Sequence, residues 1–283
     1  MAKRKQNHKI PIAFLVMLAV GILLISLLSP TQHNSFKEPP QNVVGLERLK
    51  NPDMIDNKDL WQWNQASWRS QGGMPTSASW THNPSSITMS LKASDNSFYA
   101  IGVSQGGGPT TLWAWHTGNL NLIINPTAHN IVTWRGSVDY TKLQKIGCLG
   151  IGVNAWFDVT LSNGTQVPVE IFVFVYQEGV YTIPVDTFKD YGYRGSSWYE
   201  GFLSNEQHRM SWRYFYYHPV QLEKGKLGEF RFELNDALDT IRNHAGEPYA
   251  SATFTLQRID AVMEMFMSEG TFTIDKLSFM QSL

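Results

Sequence analysis

Between Val167 and Tyr176 the side chains alternate with a period of two, which makes this segment a β-strand with two unlike faces. Val169, Ile171, Val173 and Val175 point one way, and Glu170, Phe172, Phe174 and Tyr176 point the other. An aliphatic face of this kind has to be covered, so the strand belongs to a sheet packed on a second layer. The preceding Ser162-Asn163-Gly164-Thr165 is a hairpin signal, because Asn-Gly supplies the positive φ values a tight turn needs. It pairs this strand with the one ending at Leu161, in which Asn154, Trp156 and Asp158 alternate with Ala155, Phe157 and Val159. Asp158 and Glu170 are therefore expected as near neighbours on one face.

The same short-run pattern recurs at 86–91, 97–103, 110–116, 120–124, 131–134, 149–161, 180–184, 211–218, 253–267 and 270–279, with turn residues between. Many short strands without alternating helices predict an all-β, two-sheet antiparallel sandwich of jelly-roll, concanavalin-like form. One segment departs from it. In Leu234 to His244, Leu234, Leu238 and Ile241 recur near helical spacing and Gly246 supplies a stop, which predicts a single short surface helix.

Lys3, Arg4, Lys5 and Lys9 precede an uncharged run from Ile10 to Ser29, about long enough at 1.5 Å per residue to cross a bilayer. The expectation is a basic cytoplasmic segment (1–9), a transmembrane signal anchor (10–29), a Pro-containing tether (30–57) and an exported β-domain (58–283) on the outer side of the cell membrane. A cleaved signal peptide is the rival; it calls for a shorter apolar region and a small-x-small site, and none is clear near Ser26 to Ser29. Without those four basic residues, 19 Lys and Arg face 24 Asp and Glu, a formal charge of −5 that excludes nucleic acid as a partner. Cys148 is the only cysteine, so no intramolecular disulfide forms and the core must stabilise the domain.

One acid heading a row of aromatic rings suits a strand that stacks on sugar rings and sets a carboxylate against a glycosidic bond. Trp61 and Trp63, on one face of the domain's first strand, and Trp156 join Phe172, Phe174 and Tyr176 as candidate platforms. Glu264 is a third acid, alternating with Met263 and Met265 and level with Val262 and Phe266. No Cys or His cluster has metal-ligand spacing, so no metal site is expected.

These residues resemble glycoside hydrolase family 12, the jelly-roll endoglucanases. Phe157-Asp158-Val159-Thr160-Leu161 is similar to that family's Tyr-Asp-Ile-Trp-Leu-like strand, and Glu170-Ile171-Phe172-Val173-Phe174 to its Glu-Leu-Met-Ile-Trp strand. The helix at 234–244 sits where the family has its lone helix, and Leu256-x-x-Ile259-x-x-Val262-x-Glu264-x-Phe266 is similar to its Leu-x-x-Val-x-x-Gly-x-Glu-x-Phe strand. Phe172, Phe174 and Val262 depart from the family's Met, Trp and Gly. The resemblance implies retaining hydrolysis of a β-1,4-glucan by a monomer that needs no cofactor. Glu170 would be the nucleophile, Asp158 its helper and Glu264 the acid/base, with the two Glu carboxyl groups about 5 to 5.5 Å apart. Two other readings stand beside it: a carbohydrate-binding module without turnover, since 270–279 also resembles the closing strand of galactose-binding-like sandwiches, and a cell-surface structural or adhesion domain.

The anchor has a direct check. The full chain is expected in the membrane pellet after carbonate washing and a chain beginning at residue 31 in the supernatant; recovery of the full chain in the supernatant would exclude an uncleaved span.

Overall fold

The computed structural model describes residues 31–32, 39–55, 61–67, 77–94, 99–106, 120–145, 147–178, 187–190, 212–217 and 222–283. In chain order the strands are β1 (Thr31–Gln32), β2 (Gly45–Glu47), β3 (Gln62–Ser67), β4 (Ser77–Asn83), β5 (Ser86–Ala93), β6 (Tyr99–Gln105), β7 (Leu122–Ile123) and β8 (Asn130–Lys142). They continue with β9 (Cys148–Thr160), β10 (Gln166–Glu178), β11 (Thr187–Asp190), β12 (Trp212–Tyr217), β13 (Gly228–Glu233), β14 (Thr253–Phe266) and β15 (Ser268–Ser282). A helix, α1 (Leu234–Ala245), lies between β13 and β14.

Two sheets form an all-β sandwich. The larger runs β1-β11-β12-β10-β9-β14-β6-β3, with β7 also on β14, and the smaller runs β13-β8-β15-β5-β4, with β2 also on β15. All described pairings are antiparallel except β10 with β12. The residues with aliphatic alternation meet between the sheets: Val153, Ala155, Phe157, Val159, Val169, Ile171 and Val173 from the large sheet pack with Ile87, Met89, Leu91, Trp134, Phe272 and Ile274 from the small one. Trp134 anchors the small sheet's side, its ring stacked 5.6 Å from Phe272 and tilted 5.5 Å from Phe230.

The hairpin forms between β9 and β10, with Thr160 opposite Gln166. Only Gly164 takes a positive φ, +83°, while Asn163 contributes its Oδ1, which accepts the Thr165 N–H at 2.9 Å. The helix also forms. The Glu233 carboxylate caps its start, accepting the Asn235 N–H, and Gly246 at φ 62° ends it. Leu234, Ala237, Leu238 and Ile241 give its buried side.

Three expectations need correction or fall elsewhere. Residues 45–54, composed like a tether, belong to the sandwich. β2 pairs with the end of β15, Leu49 and Met54 are buried in the core, and the Glu47 carboxylate accepts the Leu49 and Phe279 N–H groups. Two main-chain bonds to β15 and a side-chain pair with Gln105 tie the segment to both sheets, and polar composition could not reveal that. The strands at 77–83 and 228–233 escaped the pattern, and 131–134 is the start of a far longer strand. The anchor at 10–29 and the strands at 110–116 and 180–184 lie outside the described residues; among those described, no helix is long and apolar enough to cross a membrane.

Gly164 isolates the backbone contribution to the hairpin, because among the described residues nothing lies within 4 Å of where a Cβ would stand. Gly164→Ala is expected to cost roughly 1–2 kcal/mol in urea unfolding with an unchanged m-value, and an unaltered midpoint would count against a left-handed residue here.

Candidate active site

β9 lies between β10 and β14, so its register with each fixes what shares a rung. Glu170 pairs with Trp156, which pairs with Arg258; Phe172 pairs with Asn154, which pairs with Asp260; Phe174 pairs with Gly152, which pairs with Val262. These residues point away from the small sheet and stand apart from the inter-sheet core. Glu170, Trp156, Phe172 and Asp260 are nevertheless fully buried, Arg258 and Asn154 nearly so. A bulge in β14 between Leu256 and Arg258 makes this face possible: the extra residue, Gln257, turns Arg258 outward although Leu256 points into the core.

The acids are held crosswise. Asn154 Nδ2 donates to Glu170 Oε1 at 2.8 Å, and Trp156 Nε1 donates to Asp260 Oδ2 at 2.8 Å, so each carboxylate is bound by the β9 residue that shares the other's rung. Arg258 Nε meets both Asp260 oxygens, at 3.0 and 3.1 Å, and its guanidinium lies 4.9 Å from the Trp156 ring centroid. Burial pushes the Asp260 carboxyl up to about 6; the Arg258 charge and the bonds from Trp156 and Arg258 oppose that, and the Glu170 charge adds to it.

Next to the acids, the Phe172 and Phe174 rings stack with centroids 4.2 Å apart at 29°. Tyr176 does not extend the row. A bulge between Phe174 and Tyr176 shifts the register, places Tyr176 opposite Ile151, and turns its ring to the inter-sheet side, 5.8 Å from that of Tyr140. Strict alternation cannot register one inserted residue.

Register also decides the fate of Glu264. It pairs with Gly150, six residues along β14 from Arg258 on the Glu170 rung, which places it about 20 Å along the strands from Glu170. The pairing of Glu170 with Glu264 expected from the sequence is therefore corrected, since 5 to 5.5 Å separates such a pair. Asp158 stands opposite Pro168, one rung from Glu170 and on the same face, partly exposed, as the hairpin argument requires.

The tryptophan platforms fare differently. Trp61 is fully buried in the core with its Nε1 donating to the Asn51 carbonyl at 2.9 Å, so it is a packing residue. Trp156 is buried and bonded to Asp260, so its ring offers no open face. Trp63 pairs with Val103, and its side chain lies outside the described residues. Asp260 and Arg258 were the residues that sequence reasoning missed. The alternation that singled out Glu264 carries Asp260 on the same face, whereas the bulge that brings Arg258 round has no signal of its own. Among the described residues no group of His, Cys, Asp and Glu could hold a metal ion.

No protein-family model matches the chain, and no curated protein matches it. Solved structures align over most of its length. A loop-swap mutant of Neocallimastix patriciarum Xyn11A is 12% identical over 81% of this chain and 98% of its own, with a TM-score of 0.47. A family 12 xyloglucanase from Bacillus licheniformis is 11% identical over 89% and 96%, with a TM-score of 0.46. The endoglucanase cel12A from Rhodothermus marinus is 12% identical over 78% and 96%, with a TM-score of 0.44. Likeness this remote assigns this chain no activity.

The raised Asp260 has a sign that can be checked. Its folded value lies above the ordinary 3.8, so the stabilisation it gives is complete below about pH 4 and is lost as the pH climbs through about 6, on the order of 3 kcal/mol in all. Asp260→Asn is expected to lose that part of the pH dependence of unfolding free energy while being less stable throughout, because Arg258 keeps its charge without its carboxylate. Parallel curves for the two proteins between pH 4 and 7 would contradict the assignment.

Proposed function

We propose that this chain is an exported, membrane-anchored carbohydrate-active β-sandwich that hydrolyses a β-1,4-linked glucan with retention, using Glu170 and Asp260 as its acid pair. The observation that carries the reading is the crossed pair of hydrogen bonds through β9, which draws two carboxylates from flanking strands toward each other on the face that does not pack the sandwich. Their Cα atoms stand two strands and one rung apart, about 12 Å, and both side chains lean to β9. The sequence resemblance to family 12 supplies the substrate class.

The roles follow from environment. Asp260, protonated up to about pH 6, would donate to the leaving oxygen. Glu170, oriented by Asn154, would attack the anomeric carbon and form a glycosyl-enzyme; Asp260, now a base, would then deprotonate the water that releases the sugar. Asp158, one rung away toward the more exposed end, would support the charge distribution around Glu170. Phe172 and Phe174, buried at 0% and 7%, would pack beneath the acids rather than bear on the sugar rings.

A second reading is carbohydrate binding without turnover. The complete burial of Glu170 and Asp260 weighs against turnover, since hydrolysis requires both acids to reach the polymer and binding requires neither.

Reducing-sugar release from β-glucan and xyloglucan separates the two when the wild-type chain is run beside Glu170→Gln and Asp260→Asn variants of confirmed fold. Retaining hydrolysis predicts at least a hundredfold loss of rate in each variant, by about the weight of one acid–base or nucleophilic group. Wild-type affinity for glucan with no sugar release would establish the binding module, and neither affinity nor release would sink both readings.

A further inference from the structure

Two buried oxygens on this face are reached by no hydrogen bond among the described residues: Asn154 Oδ1 and Asp260 Oδ1. Their residues stand directly opposite each other on β9 and β14, on one face, and both are buried. Side chains so opposed in an antiparallel pair have Cβ atoms about 4.5–5.5 Å apart, which puts the two groups within reach of each other. Each has its other polar atom engaged. Asn154 Nδ2 donates to Glu170 Oε1 on the β10 side, which turns the oxygen of the same planar amide toward β14. Asp260 Oδ2 accepts from Trp156 Nε1 at 2.8 Å and from Arg258 Nε at 3.1 Å. Arg258 Nε also stands 3.0 Å from Oδ1, but its hydrogen bond runs to Oδ2.

Two acceptors cannot satisfy each other, and leaving both unmet in a buried layer is costly. One proton removes both deficits. Carried on Asp260 Oδ1, it makes that oxygen a donor and gives Asn154 Oδ1 its partner, while Oδ2 stays the carbonyl oxygen that accepts both N–H groups. Two donors on one carboxyl oxygen and none on the other is the pattern a neutral acid leaves. The amide cannot be reversed to suit an ionised Asp260, because its oxygen would then face the Glu170 carboxylate.

We infer that Asn154 is a positioning residue that couples the two acids: its Nδ2 donates to Glu170 and its Oδ1 accepts from a proton on Asp260 Oδ1, so that one amide fixes Glu170 as the anion and Asp260 as the neutral acid. Among the described residues the charged groups that act on Asp260 are Arg258, on its own strand, and Glu170, across β9. β6 sets the uncharged Ser104 opposite it, and β9 contributes the neutral Asn154 and Trp156. Burial and then the Glu170 charge keep the proton on, against Arg258. The inference deepens the acid assignment proposed above and takes its acid pair from that reading.

Infrared difference spectra of the full chain, titrated with pH and read at the C=O stretch of neutral carboxyl groups, test it on wild type, Asp260→Asn and Asn154→Leu. Leucine fills much the same space as asparagine, so burial is kept and only the hydrogen bonds are lost. The wild type is expected to show a neutral-carboxyl band that disappears as the pH passes about 6 and is missing from Asp260→Asn. In Asn154→Leu that band is expected at higher wavenumber, because the O–H has lost its acceptor, and its midpoint lower by about half to one pH unit, the worth of one neutral hydrogen bond. A band that Asn154→Leu leaves unmoved in position and midpoint, or a wild type without the band below about pH 6, would overturn the inference. Should Asn154→Leu fail to fold, Asn154→Ser, whose shorter hydroxyl does not span both acids, is read in the same way. The spectra report ionisation and not turnover. The expected spectra from a protein that releases no sugar would remove the hydrolase reading alone, and sugar release with an unmoved band would remove this inference alone.

Discussion

The outer face of this sandwich depends on one strand being paired on both edges. β9 is hydrogen-bonded to β10 on one side, in a register set by the Asn163-Gly164 turn, and to β14 on the other. Had either slipped by one residue, every side chain of the slipped strand would have changed face. Glu170 or Asp260 would then have entered the aliphatic layer between the sheets. The long pairings of β9, and the apolar side chains on its inner face, make that slip costly.

On this frame the face holds charge where charge is expensive. Asp260 and Arg258 are buried together, and their attraction offsets rather than exceeds what each loses by leaving water. The net effect remains visible in Asp260, whose carboxyl holds its proton well above the ordinary range despite a guanidinium at 3.0 Å. A side-chain arrangement selected for stability alone would be served as well by apolar residues of similar size. Glu170 and Asp260 lie on the two strands that flank β9 in unlike surroundings, one bonded by Asn154 and the other by Trp156 and Arg258.

Two bulges shape the face. One in β14 swings Arg258 out to Asp260, and one in β10 swings Tyr176 in toward Tyr140. The inward turn has its own consequence, because burial and the bond with Tyr140 raise the Tyr176 hydroxyl well above its usual range and fix it as an inter-sheet tie. Nearby, Lys142 of the small sheet reaches Glu178 at 2.6 Å and holds that carboxyl below its ordinary value. The end of β10 is thus fastened to the other sheet just where it leaves the row of rings.

The sequence by itself determined what depends on neighbours along the chain: strands at 148–160, 166–178 and 253–266, the β9–β10 hairpin, helix α1 with its glycine stop, and the face on which Asp158, Glu170, Phe172 and Phe174 stand. Alternation and turn chemistry are local, and they suffice for these. Only the tertiary structure decided which rungs align. That moved Glu264 about 20 Å from Glu170 and put Asp260 near it, because partner register is set between segments about ninety residues apart. It likewise placed Trp61, Leu49 and Met54 in the core, where burial depends on the second sheet, and exposed two inserted residues whose effect is to reverse a face that a period of two had assigned.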